Sequence, residues 1–456
     1  MPTMPARLLA LLLAWAGAAQ AAGMGAQDAR HLLLRTGFDA PPGEVRAAAR
    51  LSRAEAVERI LAGARSEART PVPPQVLEWT DPRELRGMSP EARKAYQQDL
   101  RARSIALKGW WVDEMVSTDS PLTERMTLFW HNHFTSSLQK VRSPTLMYRQ
   151  NVLLRMHALG NFGELLHAVS KDPAMLLYLD TARSRSGQPN ENFAREAMEL
   201  FTLGEGHYSE ADVKEAARAY TGWSIDPADG AFKWRPLLHD DGVKTVLGRS
   251  GEFDGDQVLG ILLAQPATAE FITAKLWREF VSPRPDRDEV RRIAARFRQS
   301  GYQIRVALRE LLLSDAFWAS ANRDALIKSP VDLVIGTVRR YGIRYSDPLP
   351  LVFVLRHFGQ DLFSPPNVRG WPGGEDWITS QTLLARKQFL ERLFRADEGR
   401  MTPAAMERAV ERVPEDGKPY VRRMLQAAMD LRYLPRRGES VQQARARVLD
   451  PAYQLK

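Results

Sequence analysis

The chain contains no cysteine. Disulfides and thiolate metal sites are therefore excluded. A lipoprotein anchor is excluded as well, since that linkage requires a cysteine. Any bound metal would have to be held by imidazole or carboxylate groups, which suit Zn, Mn or Fe. A cysteine-free chain must also draw its stability from its buried core rather than from crosslinks.

Long apolar runs are missing after the first twenty residues. Val258–Ala264 is apolar but too short to cross a bilayer. Near the start, Arg7 precedes the apolar run Leu8–Ala18, which small residues follow, and this is the order of a secretory signal peptide. We therefore expect residues 1–21 to be a signal peptide cleaved near Ala21, giving a periplasmic or secreted protein with no membrane span in its mature chain. An uncleaved anchor is the alternative.

Several catalytic and binding motifs are also missing. The sequence has no glycine-rich phosphate loop after a strand, which disfavours a nucleotide enzyme, and no Gly-x-Ser-x-Gly elbow, which disfavours that kind of serine hydrolase. The formal charge of +9 could suit nucleic acid, anionic lipid or an acidic polysaccharide. Because the arginines are dispersed and balanced by acids, nucleic acid is an unlikely partner, whereas an anionic polysaccharide remains open.

Helical periodicity dominates what is present. With 44% hydrophobic and 26% charged residues, the chain reads as globular rather than disordered. We predict a mainly α fold, a large multi-helix single domain with a small irregular or β insertion near residues 224–256. That helical domain would span residues 22–395, followed by a charged helical C-terminal extension over residues 396–456. Within the domain, one helix is expected over residues 43–64.

The stretch 189–201 concentrates polar groups on one side of a predicted helix. At 100° per residue, Phe193, Ala197, Leu200 and Phe201 share one face. The opposite face carries the side chains that could do chemistry, namely Glu191, Asn192, Arg195, Glu196 and Glu199. We expect this polar face to line a polar cleft rather than to meet bulk solvent.

A second polar group, His131 and His133, follows an amphipathic helix that begins at Pro121. If that helix continues, the two imidazoles point about 200° apart and cannot bind one metal ion. A joint metal role would therefore require the helix to end near Trp130.

Several ordered stretches then share one pattern. They are His31–Phe38, Trp130–Phe134, residues 189–204, residues 212–213, residues 219–223, His239-Asp240, residues 328–330 and residues 366–374. Together they resemble the domain-of-unknown-function 1800 family of exported bacterial proteins, over about residues 27 to 395. The resemblance implies an exported, mostly helical protein and carries no established reaction. It also implies a partner, because such proteins are often encoded beside an exported family similar to sulfatases and alkaline phosphatases.

The polar stretches leave three interpretations open. In the first, His131, His133, Glu196 and Glu199 bind a divalent metal, since carboxylates three apart project from one helix face. In the second, Glu196, Glu199, Arg195 and His239 do acid/base work on glycosidic or ester bonds without a metal. In the third, Arg195 bridges Glu191 or Glu199 and His133 is hydrogen-bonded in the core, which requires no function.

Two functions follow from these interpretations. One is an envelope enzyme, a metal-assisted hydrolase or transferase acting on an anionic envelope or extracellular polymer. The other is a non-catalytic binding or assembly protein that works with a sulfatase-like exported partner.

Overall fold

The computed structural model describes residues 23–395, 402–435 and 439–456. The predicted signal peptide, residues 1–21, lies outside the described residues. So do residues 396–401, where the predicted C-terminal extension would begin.

Helices make up most of the described chain, which confirms the mainly α prediction. The first twelve are α1 Gly25–Thr36, α2 Pro42–Ala48, α3 Arg53–Ala62, α4 Pro74–Leu77, α5 Pro90–Ser117, α6 Pro121–His133, α7 Leu138–Val141, α8 Pro144–Met156, α9 Phe162–Ser170, α10 Pro173–Tyr178, α11 Asn192–Glu196 and α12 Glu210–Ala219. The next are α13 Gly255–Ala264, α14 Pro266–Phe280, α15 Arg287–Gln299, α16 Ile304–Leu312, α17 Asp315–Trp318, α18 Pro330–Tyr341, α19 Leu349–His357, α20 Ser380–Leu393, α21 Pro403–Glu411, α22 Lys418–Asp430 and α23 Val441–Leu449. A π-helical segment, Ala197–Thr202, directly continues α11.

Caps set the ends of many of these helices. The Ser209 hydroxyl accepts a hydrogen bond from the amide of Asp212, and the Asp212 carboxylate accepts one from the amide of Ser209, so α12 begins with a capping box. A similar box at Ser52 starts α3 and interrupts the helix expected over residues 43–64. That single-helix prediction is wrong, because Ser52 satisfies the free amides of a new helix.

The predicted insertion forms two small antiparallel sheets. Strand β1 (Trp223–Ile225) pairs with β2 (Phe232–Trp234), and β3 (Lys244–Val246) pairs with β4 (Arg249–Gly251). All four strands lie between α12 and α13 in the chain, so the prediction of a small β insertion near residues 224–256 is confirmed.

One continuous hydrophobic cluster forms the core. Its largest buried side chains are Trp111, Trp130 and Trp277, contributed by α5, α6 and α14. The C-terminal residues join the same body, since Leu455 pairs with Ile327 across a β-bridge. None of the described helices combines the length and the hydropathy needed to span a bilayer.

Candidate functional site

The polar stretch singled out in the sequence folds as α11 followed by the π-helical segment. In the π-helical segment Leu203 donates its amide hydrogen to the carbonyl of Met198, five residues earlier, at 2.8 Å. The Thr202 hydroxyl donates to the carbonyl of Ala197 at 2.5 Å. One turn of the predicted α-helix is therefore widened. π-Helical turns are rare and occur often at functional sites.

The end of the π-helical segment leaves two carbonyls for side chains from other helices to satisfy. Lys275 donates its ammonium hydrogens to the Leu200 carbonyl at 3.1 Å and to His133 Nδ1 at 3.0 Å. His133 in turn donates from Nε2 to the Phe201 carbonyl at 3.2 Å. The hydrogen-bond pattern assigns the Nε2–H tautomer to His133. His133 and Lys275 thus cap the backbone of the polar stretch.

Burial shifts both of these capping groups toward their neutral forms. The pKa of His133 lies well below its ordinary value because of burial, and the charge of Lys275 adds to the effect. Burial also lowers the pKa of Lys275 from 10.5 to about 7, with a contribution from Arg278. His133 is therefore a neutral hydrogen-bonding residue at physiological pH.

Helix α6 continues through His133, so the condition for a joint histidine metal site is not met. His131 faces away from His133, into an aromatic cage of Trp111, Phe363 and Trp371 with ring centroids 5.4 to 5.7 Å away. Burial lowers the pKa of His131 to about 3. The two imidazole rings therefore contact different residues.

Between them, Asn132 anchors the loop of residues 367–374. Its Oδ1 accepts a hydrogen bond from the amide of Trp371 at 2.7 Å. At Gly370 the backbone has φ of +89°, and a Cβ there would stand 2.6 Å from the carbonyl of Asn132. Only glycine fits this close approach without strain. The tight contact fixes where the loop presents Arg369.

Arg369 joins this loop to the polar face of the π-helical segment. Its Nη2 donates to Glu199 Oε1 at 3.1 Å and to Glu205 Oε1 at 3.2 Å. From the other side, the Tyr208 hydroxyl donates to Glu199 Oε2 at 2.9 Å. Burial and the hydrogen bond with Glu199 raise the pKa of Tyr208 to about 12. Glu199 is thus held in place through both carboxylate oxygens.

Glu196 lies on the same polar face in a different environment. Among the described residues it has no hydrogen-bond or ion-pair partner for its half-buried carboxylate. Burial raises the pKa of Glu196, and the neighbouring charge of Glu199 raises it further, while Arg369 and Arg195 act in the opposite direction. The site therefore pairs a fixed carboxylate with a carboxyl group that retains its proton to a higher pH than usual.

Arg195 does not bridge Glu196 or Glu199. Its guanidinium makes two hydrogen bonds to Glu210, at 2.7 and 2.8 Å, and a longer one to Glu191 at 3.3 Å. The hydrogen bonds with Glu210 raise the pKa of Arg195. Its placement fits the predicted bridge to Glu191, not one to Glu199, and ties α11 to α12.

His239 belongs to a separate part of the molecule. Its Nδ1 lies 2.9 Å from the carbonyl of Thr221, and its ring lies 4.9 Å from that of Trp234 in the insertion. Asp240, next to it, makes two hydrogen bonds to Arg218 at 2.8 and 2.9 Å. In the described chain no hydrogen bond, ion pair or ring contact joins His239 to Glu196 or Glu199, so the structure does not bring it into their site.

The four predicted metal ligands are not brought together. Within residues 23–395, 402–435 and 439–456, no group of three or more histidines, aspartates and glutamates is placed to hold a metal ion. His133 is engaged by Lys275 and Phe201, and His131 is enclosed by aromatic rings. Glu196 and Glu199 lie on the same polar face of the helix. Neither histidine lies on that face, since His133 contacts the Phe201 carbonyl and His131 packs against Trp371.

A cleft begins where the π-helical segment ends. Its volume is about 860 Å³, within the range of ligand-binding pockets. Glu205 is part of its wall, and Arg369 binds both Glu205 and Glu199, so these two side chains connect the cleft to the Glu199 carboxylate. Phe271, Arg287 and Arg291 also line the cleft, together with a second acid, Glu270. Glu196 and Glu199 are not part of the lining.

Nearly the whole chain is similar to one known protein family. The family model described as "Protein of unknown function (DUF1800)" matches residues 31–454, nearly the whole chain. The chain belongs to the DUF1800 family. No curated protein and no solved structure gave a significant match. The DUF1800 match includes the C-terminal segment beyond residue 395, which is where the sequence resemblance stopped.

In this DUF1800 chain, three consecutive residues, His131 to His133, contact three different elements. His131 packs against Trp111 of α5, Asn132 binds the Trp371 amide, and His133 caps the π-helical segment. Asn132 and His133 each pair with a backbone group, whereas the buried Nε2 of His131 has no hydrogen-bond partner in the described chain. They assemble the surroundings of Glu199 without joining it.

Sequence reasoning missed Tyr208, Arg369 and Lys275 as members of the site. Arg369 lay within the recognised loop motif, so that motif was a usable signal. Tyr208 follows a glycine turn, and Lys275 sits in an ordinary amphipathic helix. Neither position has a local pattern that points to Glu199 or His133, because the contacts span the tertiary structure.

Proposed function

We propose that this protein is a hydrolase that uses Glu196 and Glu199 in acid/base catalysis on a glycosidic or ester bond of an anionic envelope or extracellular polymer. The observation that supports this most is the contrast between the two carboxyl groups. Glu196 has a raised pKa and no hydrogen-bond or ion-pair partner in the described part of the chain, whereas Glu199 is held by Tyr208 and Arg369. Pairs of carboxyl groups in unlike environments take the acid and base roles in many enzymes.

The roles follow from those environments. Glu196, which retains its proton longer, acts as the general acid that protonates the leaving oxygen. Glu199, oriented by two donors, acts as the base or as the nucleophile on the other side of the bond. The adjoining cleft accepts the polymer, and its arginines, Arg287 and Arg291, meet the anionic groups.

A divalent ion is not required by this proposal. The histidines predicted as ligands are engaged elsewhere, so a metal would rest on Glu196 and Glu199 with oxygen atoms of the substrate. The metal-assisted form of the hypothesis is tested by running each assay with Zn²⁺, with Mn²⁺, with Fe²⁺ and with a chelator.

The test is release of reducing ends from alginate, polygalacturonate and heparin, with dextran as the neutral comparison. We expect the wild type to cleave at least one anionic polymer. Glu196→Gln should lower the rate by about 100-fold or more, the typical contribution of a general acid, and Glu199→Gln should act similarly. Glu67→Gln is the matched control, because Glu67 is exposed and distant in sequence, and it should leave the rate unchanged.

Two results would count against the proposal. One is cleavage that persists at the wild-type rate in Glu196→Gln. The other is absence of cleavage across the panel together with an NMR titration in which Glu196 loses its proton at the ordinary value of 4.5.

A non-catalytic role beside a sulfatase-like exported protein is the second candidate. It is favoured by exposed apolar side chains in the insertion, where Leu237 is 97% exposed and Val243 61% exposed. Contiguous exposed apolar surface often marks a protein interaction site. Sedimentation of the chain mixed with the purified sulfatase-like protein tests it. Leu237→Ser should abolish a complex that Glu196→Gln leaves intact.

A further inference from the structure

A second pocket lies on another part of the molecule, between α1 and the C-terminal residues. Its volume is about 330 Å³. Residues from α1, from the end of α18 and from the segment 447–455 line it together. The pocket is therefore formed only when both ends of the described chain are in place.

The lining of this pocket is rich in arginine. Four arginines contribute to it, together with two aspartates. The arginines are Arg30, Arg323, Arg340 and Arg447, and the aspartates are Asp324 and Asp450. Carboxylates behind the pocket offset the charge of Arg323 and Arg340, so Arg30 and Arg447 are the cations left for a ligand. These two guanidinium groups favour an anion in the pocket.

Two of the arginines are fixed by buried carboxylates. Arg323 pairs with Asp28, and Arg340 lies 3.3 Å from Asp39 Oδ1. Both carboxylates are buried, with Asp28 7% and Asp39 3% exposed. The two guanidinium groups are thus oriented before any ligand arrives, which lowers the entropic cost of binding.

The remaining donors lack acceptors. Over the described residues, the side chains of Arg30 and Arg447 form no hydrogen bond or ion pair, and both are exposed. In addition, Arg323 Nη1 is buried without a hydrogen-bond partner. Arg30 and Arg447 are therefore the two guanidinium groups that are free to bind a ligand in the pocket.

A buried lysine, Lys328, lies behind the pocket wall. Its ammonium group stacks on Tyr453, 3.9 Å from the ring centroid, and Tyr453 also lines the pocket. Burial lowers the pKa of Lys328 to about 8, while Asp39 and Asp332 act to raise it and Arg30 and Arg340 to lower it. Tyr453 thus separates Lys328 from the pocket.

We propose that this pocket is a binding site for a small molecule that carries an oxyanion, a phosphate or a sulfate. Guanidinium groups match such oxygens in two-point hydrogen bonds. The pocket is larger than one inorganic anion, and Leu34, Tyr341 and Leu455 supply apolar wall for the remainder of the ligand. Bound ligand joins α1 to the C-terminal segment and stabilises the folded chain by mass action.

The test is calorimetric titration of the full chain with inorganic phosphate and with sulfate, with chloride at matched ionic strength as the reference. We expect saturable heat with phosphate or sulfate and none with chloride. The double variant Arg30→Gln/Arg447→Gln should weaken binding by about 10-fold or more, the equivalent of one lost charge-assisted hydrogen bond. Because both arginines are exposed and unpaired, the variant should fold normally, which circular dichroism checks.

Arg284→Gln is the matched control. It removes one exposed positive charge elsewhere and should leave the affinity unchanged. Phenyl phosphate separates the contributions of the pocket: tighter binding than inorganic phosphate supports an organic ligand. Absence of saturable heat up to on the order of 10 mM, or equal affinities in the wild type and the double variant, overturns the proposal.

Discussion

At the scale of single residues, environment rather than residue type separates the two glutamates of the site. Glu196 and Glu199 lie three positions apart on one polar face. Tyr208 and Arg369 hold one of them, and the other has no direct partner in the described chain. A half-buried carboxyl group without a partner lowers the stability of the fold when it ionises. Such a cost is typical of residues kept for function.

Glu196→Gln should therefore stabilise the protein at neutral pH. The folded state retains the Glu196 proton to a higher pH than the unfolded state, so wild-type stability falls as pH rises above the ordinary value of 4.5. Glutamine does not titrate, so the free energy of unfolding of the variant lacks this pH dependence. The variant should gain up to about 1 kcal/mol over the wild type by about pH 7, a figure kept small because the group is half exposed.

Urea unfolding of both proteins at about pH 4 and about pH 7 measures this difference. Glu67→Gln, at an exposed position, supplies the baseline. The prediction is wrong if the difference in free energy of unfolding between Glu196→Gln and the wild type becomes smaller as the pH rises.

Lys275 gives a second prediction at this scale, with the opposite sign. Its folded-state pKa is about 7 and its ordinary value 10.5, so between these the unfolded state holds more protons. Wild-type stability should rise with pH over that window, by about 1–2 kcal/mol relative to Lys275→Met, which cannot titrate. At every pH the variant should also be less stable, since it leaves the Leu200 carbonyl unpaired.

Denaturant midpoints at about pH 7 and about pH 10 check this prediction. Lys387→Met serves as control, because Lys387 is exposed. Parallel pH profiles for wild type and Lys275→Met would show that Lys275 keeps its ordinary pKa.

At the scale of elements, the site depends on two irregular pieces of backbone. The π-helical segment needs His133 and Lys275 to satisfy its last carbonyls. The loop of residues 367–374 needs Asn132, whose Oδ1 accepts the hydrogen bond from the Trp371 amide. The C-terminal end of every helix leaves carbonyls without a partner in the helix, and here side chains from α6 and α14 supply the partners. These contacts hold Glu199 and Arg369 in position to meet.

Gly370→Ala should disturb the loop at its tightest point. The positive φ disfavours any side chain, and the new Cβ would collide with Asn132. We expect a loss of about 2–3 kcal/mol in the free energy of unfolding. Arg369 should also move away from Glu199.

Gly373→Ala is the matched control in the same loop. At Gly373 φ is −129° and an added Cβ meets nothing within 4 Å. Its stability should equal that of the wild type within about 0.5 kcal/mol. Thermal or urea unfolding of both variants checks the pair, and equal losses would mean that the Asn132 contact is not what constrains the loop.

At the scale of the whole molecule, a buried ionic cluster joins distant parts of the chain. Arg125 of α6 pairs with Glu279 of α14 at 2.6 Å and with Asp332 of α18. Lys456 reaches Asp332 at 2.7 Å. Burial alone would raise the pKa of Asp332, but Arg125 and Lys456 hold it well below its usual range. The C-terminal residues thus share one charge network with the centre of the fold.

Asp332→Asn should be severely destabilising. It leaves two buried cations with only the carboxylate of Glu279 nearby, and removing one partner from a buried pair typically costs about 3–5 kcal/mol. Asp288→Asn, at an exposed position, should change stability by less than about 0.5 kcal/mol. Differential scanning calorimetry of both variants measures the contrast. Similar melting temperatures would show that the cluster contributes little.

Much of the fold could be predicted from the sequence alone. Apolar spacing and caps are local signals, so the start of α6 at Pro121 and the small β insertion were predicted, whereas the end of α6 was left open. The split between α2 and α3 was missed, because the apolar pattern continues across Ser52 and only the cap interrupts it.

The composition of the site could be predicted only in part. Sequence placed Glu196 and Glu199 on one polar face, since three residues span most of a helical turn. It could not place Arg369 or Tyr208 against Glu199, nor separate His131 and His133 from both carboxylates. Sequence by itself determined the helices, their faces and the family. The tertiary structure alone decided which polar groups meet, because those contacts join residues from 9 to 170 positions apart and depend on how the helices pack.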